Sequence, residues 1–377
     1  MKITKMGEFL LLAVGSLTIM VGCVIVPGLP TVAVQLGVGS AASWLVTIPS
    51  LGVVVLGPLA GLLIGRLGLY KALCGGLFAY GLLGVSGAFL HGMVPVFADR
   101  LLLGGTTALV MACGTGLISE FYIGSARLGM IAKQGMSIEL GGVMFLALGG
   151  WLAGLYWHLP FFLYLVAWVL LLLILRYLPD PGGHPGNGTS PGGRTSLPFA
   201  LKVIYGAALC SMLVFFTGII ALPFRLGELA VSEAQTGYFL AFVSLIAVAA
   251  AAAMPMVVRR VGEWRTLCTA FVFYSLAHAT FVFAGTISMM IVGGITMGMG
   301  FGLSIPLVNH VVIEQSPARQ RGKHLAYLSM AIFCGQFLSS FMAFIPRGST
   351  SIFAASASLA LVASVAVLGL HTRAQVR

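Results

Sequence analysis

Asp99 and Arg100 stand side by side inside one apolar run of the chain, and Glu139 stands alone inside the next. His278 and His310 are the other titratable groups set within such runs. A charge at the centre of a bilayer costs at least about 2.5 kcal/mol on insertion scales, so groups of this kind face a cavity or a partner. Arg100 lies about six residues, or about 9 Å, inside one end of its run. Glu139 lies similarly deep from the opposite end, so the two are not expected to pair directly. The chemistry these residue types offer is ionic and protonic. Asp99 with Arg100 forms a site for substrate or gating near one surface, and Glu139 is the better proton carrier. The bland readings are a carboxylate complementing a helix start for Asp99, a snorkelling or backbone-bonded acid for Glu139, and a packed ring for His278. His310, next to Asn309, divides evenly between the two kinds of role.

The elements that must position these groups are set by composition. The chain has 377 residues, 59% of them hydrophobic and 8% charged, with a mean hydropathy of +1.06. No water-soluble core hides that much apolar surface, so an all-α integral membrane protein is expected. A span needs roughly 20 predominantly apolar residues, and twelve runs qualify: 8–30, 43–64, 71–90, 94–117, 134–156 and 159–178, then 200–223, 234–257, 265–285, 287–312, 325–345 and 351–371. The net charge of +11 does not point to nucleic acid, because the basic residues are placed topologically. Of the 20, all but Arg100, Arg225 and Arg347 fall at the termini or in alternate gaps between runs. By the positive-inside rule those gaps and both termini are cytoplasmic, in an inner (plasma) membrane. The six cysteines sit within apolar runs without metal-ligand or CxxC spacing, and read as small packing residues. No metal and no cofactor is expected.

A glycine-rich basic break separates the second run from the third, Gly61-Leu62-Leu63-Ile64-Gly65-Arg66-Leu67-Gly68-Leu69-Tyr70-Lys71. It returns 194 positions later, where Arg260, Gly262 and Arg265 match Arg66, Gly68 and Lys71. At the same offset Gly104 meets Gly298, Glu120 meets Glu314, Arg127 meets Arg321, Met136 meets Met330 and Gly141 meets Gly335. A constant shift without gaps means two copies of one unit, head to tail. The divisions are therefore 1–178, a six-helix bundle; 179–199, a Pro- and Gly-rich cytoplasmic linker; and 200–377, the second bundle. Asn187-Gly188-Thr189 has the form of a glycosylation site but falls in that cytoplasmic linker, as does His184.

Twelve spans in two parallel six-span repeats, with a central linker and this loop, resemble the major facilitator superfamily. Gly61, Leu63, Arg66 and Gly68 fit the family's loop pattern; Gly65 stands where the family places an acid, and Lys71 comes one place late. Arg100-Leu101-Leu102-Leu103-Gly104 with Ala108 resembles the family's Arg-x-x-x-Gly pattern, whose arginine is linked to proton coupling. Glu314-Gln315-Ser316-Pro317-Ala318-Arg319-Gln320-Arg321-Gly322 resembles the signature best known from the sugar-porter branch. Gly141, Gly149 and Gly150, followed by Trp151-Leu152-Ala153, partly match the drug/proton antiporter pattern, with Phe145 and Leu146 at its Gly-Pro positions. Trp157 and Pro160-Phe161-Phe162 resemble the stretch that follows in exporters.

The resemblance implies alternating access about a cavity lined by spans one, four, seven and ten and flanked by two, five, eight and eleven. Mapped here, that gives Met20, Met111, Met212, Phe216, Tyr238, Met297, Asn309, Tyr327 and Gln336, with Arg100, as substrate-binding candidates. Proton coupling falls to Glu139, Asp99 and Arg100. Gating falls to Arg66, Glu120, Arg127, Arg260, Glu314 and Arg321, with Glu120 paired to Arg127, Glu314 to Arg321, and Arg66 seeking Glu120 because Gly65 removes its usual acid. The simpler reading of these arginines is the positive-inside rule alone. Spans one and seven hold no embedded acid, which favours a neutral, zwitterionic or anionic amphipathic substrate such as a metabolite, metal chelator or antibiotic.

The expectation is a monomeric, non-enzymatic secondary transporter using protons and a small-molecule substrate, working as an exporter. An uptake permease or facilitator of the same fold is the first alternative. A non-transporting membrane receptor or scaffold is the second.

Overall fold

The computed structural model describes residues 3–181, 198–317, 320–346 and 348–375. Most of the 179–199 linker lies outside the described residues, with His184, Asn187-Gly188-Thr189 and Arg194; so do Lys2, Arg319, Arg347 and Arg377. Among the described residues thirteen α-helices follow in order: α1 Lys5–Cys23, α2 Leu29–Gln35, α3 Ala42–Leu67, α4 Leu69–Ser86, α5 Met93–Phe121, α6 Gly124–Leu155 and α7 Val166–Tyr177, then α8 Phe199–Glu228, α9 Glu233–Val261, α10 Glu263–Phe283, α11 Ile287–Gln315, α12 Arg321–Leu338 and α13 Ser349–Gln375. Short 3₁₀ turns extend α7 and α12, and among the described residues twelve segments are long and apolar enough to cross a membrane. Each coincides with a run marked in the sequence. Helices are the element to expect, because in hydrocarbon a backbone must satisfy its own hydrogen bonds.

The residues group into two compact units, one of Met1–Ser190 with Glu233–Ala241, the other of Pro191–Ser232 with Phe242–Arg377. The first turns of α9 thus group with the first unit, whereas the sequence division begins the second bundle at residue 200. Within the first unit α3 lies along α5, α1 along α6 and α5, and α4 along α5 and α7. Within the second, α10 packs on α11 and α13, and α8 on α12, α13 and α11.

The repeat seen in the sequence corresponds to repeated physical tasks. Gly68 (φ 78°) breaks α3 from α4, and Gly262 (φ 86°) breaks α9 from α10. A side chain at that left-handed φ would be strained, so glycine is required twice. Gly104 and Gly298 serve close packing. A Cβ on Gly104 would sit 2.0 Å from the Pro49 carbonyl oxygen, and one on Gly298 would sit 2.6 Å from the carbonyl oxygen of Val243, the residue matching Pro49. Small residues at such crossings let membrane helices touch backbone to backbone.

Candidate functional site

The titratable groups inside the spans occupy three different kinds of environment. Asp99 and Arg100 are both buried, at 6% and 1% exposure. Arg100 Nη2 lies 3.1 Å from Asp99 Oδ2, and Ser86, at the end of α4, donates to Asp99 Oδ1 at 2.7 Å. The guanidinium stacks against Phe161 and Tyr164, 5.3 and 5.7 Å from the ring centroids. Gly87 makes room for it, since a Cβ there would fall 2.1 Å from Arg100 Nη2. The pair therefore ties α5 to the end of α4 and to the 3₁₀ turn before α7. In this conformation it presents no surface to a substrate, unlike the surface site expected from the sequence.

Glu139 is different. It is half-buried on α6, and among the described residues no hydrogen bond or ion pair reaches its carboxylate. Lys133, exposed and ion-paired with Glu8 at 2.6 Å, stands at the end of the apolar run of α6, so Glu139 lies six residues, about 9 Å at 1.5 Å per residue, beyond it. That is the depth the sequence run gives for it. α6 is seated against α1 by Ser137, which donates to the Leu12 carbonyl at 2.8 Å, and by Gly141, whose Cβ would meet Ser16 Cβ at 2.7 Å. This packing fixes the turn of helix that carries the acid.

His278 is fully buried between Phe281 and Phe353, with Nε2 3.1 Å from the Val214 carbonyl oxygen and Nδ1 without a hydrogen-bond partner. It is a packed ring, as its span led us to expect.

The gating candidates behave as helix-end residues. Arg127 donates from Nη2 to the Ser119 carbonyl at 2.8 Å and from Nε to the Tyr122 carbonyl at 3.1 Å. Arg321 repeats half of this at the end of α11, donating from Nε to the carbonyl of Ile313, the residue matching Ser119. The last carbonyls of a helix lack intrahelical donors, and a guanidinium fork supplies them. Glu120 is exposed and forms no ion pair with Arg127 or Arg66; Glu314 turns to His310, 3.6 Å away, instead of Arg321. Arg66 and Arg260 are exposed on the last turns of α3 and α9. Among the described residues the ion pair at this end of the first unit is Lys133 with Glu8, at 2.6 Å.

The cavity candidates divide by exposure. Met20 and Met297 are at 0%, and Met212, Phe216 and Gln336 are also buried. Met297 lies on Gly218 of α8, where a Cβ would meet its Cε at 2.6 Å. These five are core residues of their units in this conformation. Met111 and Asn309 are half-buried, and Asn309 donates to the Ile305 carbonyl at 2.9 Å. Tyr238 and Tyr327 are exposed, the latter beneath Lys323 at 5.8 Å.

Sequence reasoning missed the buried hydroxyl network of the second unit. Ser211, Tyr274 and Ser304 form a triangle with sides of 3.0, 2.8 and 3.1 Å, joining α8, α10 and α11. It also missed Ser316 Oγ to His324 Nδ1, at 2.7 Å, which closes the loop between α11 and α12. The constant offset was the available signal for Tyr274, which matches Tyr80.

Twelve candidate spans among the described residues, in two repeats, define a polytopic helical membrane protein. The sequence profile of the Major Facilitator Superfamily matches residues 10–340 and again 204–376. The chain belongs to this superfamily and is a membrane transporter. It is similar to "Multidrug resistance protein 1" of Bacillus subtilis (strain 168), 25% identical over 202 residues, which cover 52% of this chain. The match spans about half (51%) of that relative's own length. Among solved structures, a POT family transporter in complex with 5-aminolevulinic acid superposes with a TM-score of 0.80 over 97% of this chain and 96% of that one, at 11% identity. The inward-open xylose transporter of E. coli superposes with a TM-score of 0.71 over 95% of this chain and 94% of that one, at 18% identity. These likenesses are of fold.

Proposed function

We propose that this transporter is a proton-driven exporter of a small amphipathic compound, placed in the inner membrane with both termini in the cytoplasm. The observation that carries the reading is Glu139: a half-buried carboxylate without a partner among the described residues, about 9 Å along α6 from the exposed Lys133. An unpaired acid at that depth is costly when charged. A carboxyl reached from one aqueous side and then from the other takes up a proton on one side and releases it on the other. The direction of transport rests on the glycine pattern of α6 and on similarity to a relative named for multidrug resistance. The topology rests on the basic residues, which the positive-inside rule places in the cytoplasm.

The substrate class rests on the acids of spans one and seven, Glu8 and Glu228, which stand only at helix ends. No acid inside either span offers a cation a counter-charge, which favours a neutral, zwitterionic or anionic amphipath.

The test is proton flux in inverted vesicles holding an imposed pH gradient. A compound that dissipates the gradient on addition, and does so only with the wild-type chain, supports antiport. A screen of metabolites, metal chelators and antibiotics in which no compound exported by cells moves protons would sink the coupling.

A further inference from the structure

Glu263, His310 and Glu314 bring one imidazole nitrogen and two carboxylate oxygens within 4.8 Å of one another, all inside the second unit. Glu263 opens α10 directly after the left-handed turn at Gly262. His310 and Glu314 lie one turn apart on the last part of α11, with Nε2 3.6 Å from Oε1. Glu263 is half-buried, and the other two are exposed or nearly so.

We propose that these three side chains form a binding site for a borderline divalent metal ion of the zinc, cobalt or nickel kind. Ligand bonds of about 2.0–2.2 Å in a tetrahedral arrangement place donor atoms about 3.4 Å apart. The His310–Glu314 spacing already meets this, and rotation of the Glu263 side chain supplies the rest. An imidazole beside two carboxylates suits these ions better than magnesium or calcium, which prefer oxygen alone. Three protein ligands leave a coordination position for water.

Two further observations set the cluster apart from a chance group of surface acids. Arg259, Arg260 and Arg265 flank Glu263 in sequence. Yet among the described residues neither carboxylate pairs with an arginine or lysine. The basic group that does approach is the His310 imidazole, 3.6 Å from Glu314, and two acids held this close repel one another unless a cation, an imidazolium or a metal ion, offsets them. The internal repeat supplies the other observation. The residues matching Glu263 and His310 in the first unit are Leu69 and Gly116, where a Cβ on Gly116 would meet Leu69 Cδ2 at 2.5 Å. One copy fills this junction with a leucine lying on a glycine; the other replaces both with metal-ligating types and keeps the glutamate. An ion there ties the first turn of α10 to the last turns of α11. The sequence reading expected no metal, because the ligands come from two helix ends 47 residues apart.

The experiment uses the purified full chain in detergent, freed of any polyhistidine tag. Zinc binding is measured by equilibrium dialysis, and cobalt binding by visible absorption. The expected result is one ion per chain, with cobalt showing oxygen and nitrogen ligation. His310→Ala and Glu263→Gln should each weaken binding by about tenfold or more. Glu120→Gln, the exposed acid matching Glu314 in the first unit, should leave it unchanged. Thermal unfolding without metal confirms that each variant is folded, as expected for exposed or half-buried side chains. No bound ion, binding unaffected by both substitutions, or sulfur-to-cobalt charge-transfer absorption from the cysteines would each overturn the proposal.

Discussion

The hydroxyl of Tyr80 donates to the carbonyl oxygen of Leu17 at 2.7 Å, tying α4 to α1 in the core of the first unit. The relationship returns 194 residues later, where Tyr274 lies 3.0 Å from Ser211, the residue matching Leu17. Both tyrosines are fully buried. The first copy uses a backbone acceptor and the second a side-chain hydroxyl, which itself reaches Ser304 at 2.8 Å.

The two ties should therefore fail differently. Tyr80→Phe removes the hydroxyl and with it the bond to the Leu17 carbonyl, and should lower stability by about 1 kcal/mol. Tyr274→Phe leaves Ser211 and Ser304 bonded to each other, so its effect should be smaller. Thermal unfolding in detergent compares them; a larger loss for Tyr274→Phe would show that the hydroxyl triangle acts as a cooperative network.

Arg127 separates capping from gating. If its work is to satisfy the carbonyls of Ser119 and Tyr122, Arg127→Ala should cost about 1–3 kcal/mol, while Glu120→Gln costs almost nothing. A double-mutant cycle between the two should give a coupling near zero. A coupling above about 0.5 kcal/mol would restore the ion pair expected from the sequence.

How much was legible follows from which physical tasks are written in residue types. The breaks at Gly68 and Gly262 and the crossings at Gly104 and Gly298 were readable, because only glycine performs them. Arg127 and Arg321 were readable as a repeat and misassigned as to partner. Their acceptors are backbone carbonyls, which carry no residue signature. The same limit hid Tyr80, whose acceptor is the backbone of Leu17. Arg100 was marked as important, but its burial depends on Phe161 and Tyr164, apolar residues some 60 positions away that look like any other core. Glu139 was legible because nothing else in its run is charged.

Arg100 should then reveal itself by stability. Arg100→Ala leaves Asp99 buried at 6% exposure with its cation gone, a change that typically costs about 3–5 kcal/mol. Replacing both charges, as in Asp99→Asn with Arg100→Met, should recover much of that loss. Unfolding measurements on the single and double variants check this. A stable Arg100→Ala protein with weakened substrate binding would instead return Arg100 to the substrate site.

Glu139 carries the functional reading, and its substitution distinguishes coupling from mere passage. Gln keeps the size and hydrogen-bonding capacity of a protonated glutamic acid but holds that state permanently. Since no partner residue is lost, Glu139→Gln should fold and insert as the wild type does. With the carrier fixed in one state, the protein should still exchange substrate across the membrane, where no net proton movement is needed. It should fail to drive substrate uphill on an imposed pH gradient, and the pH dependence of transport should flatten. Counterflow and gradient-driven transport in the same vesicles report the two activities. Retention of both, with the wild-type pH profile, would move the coupling to another group.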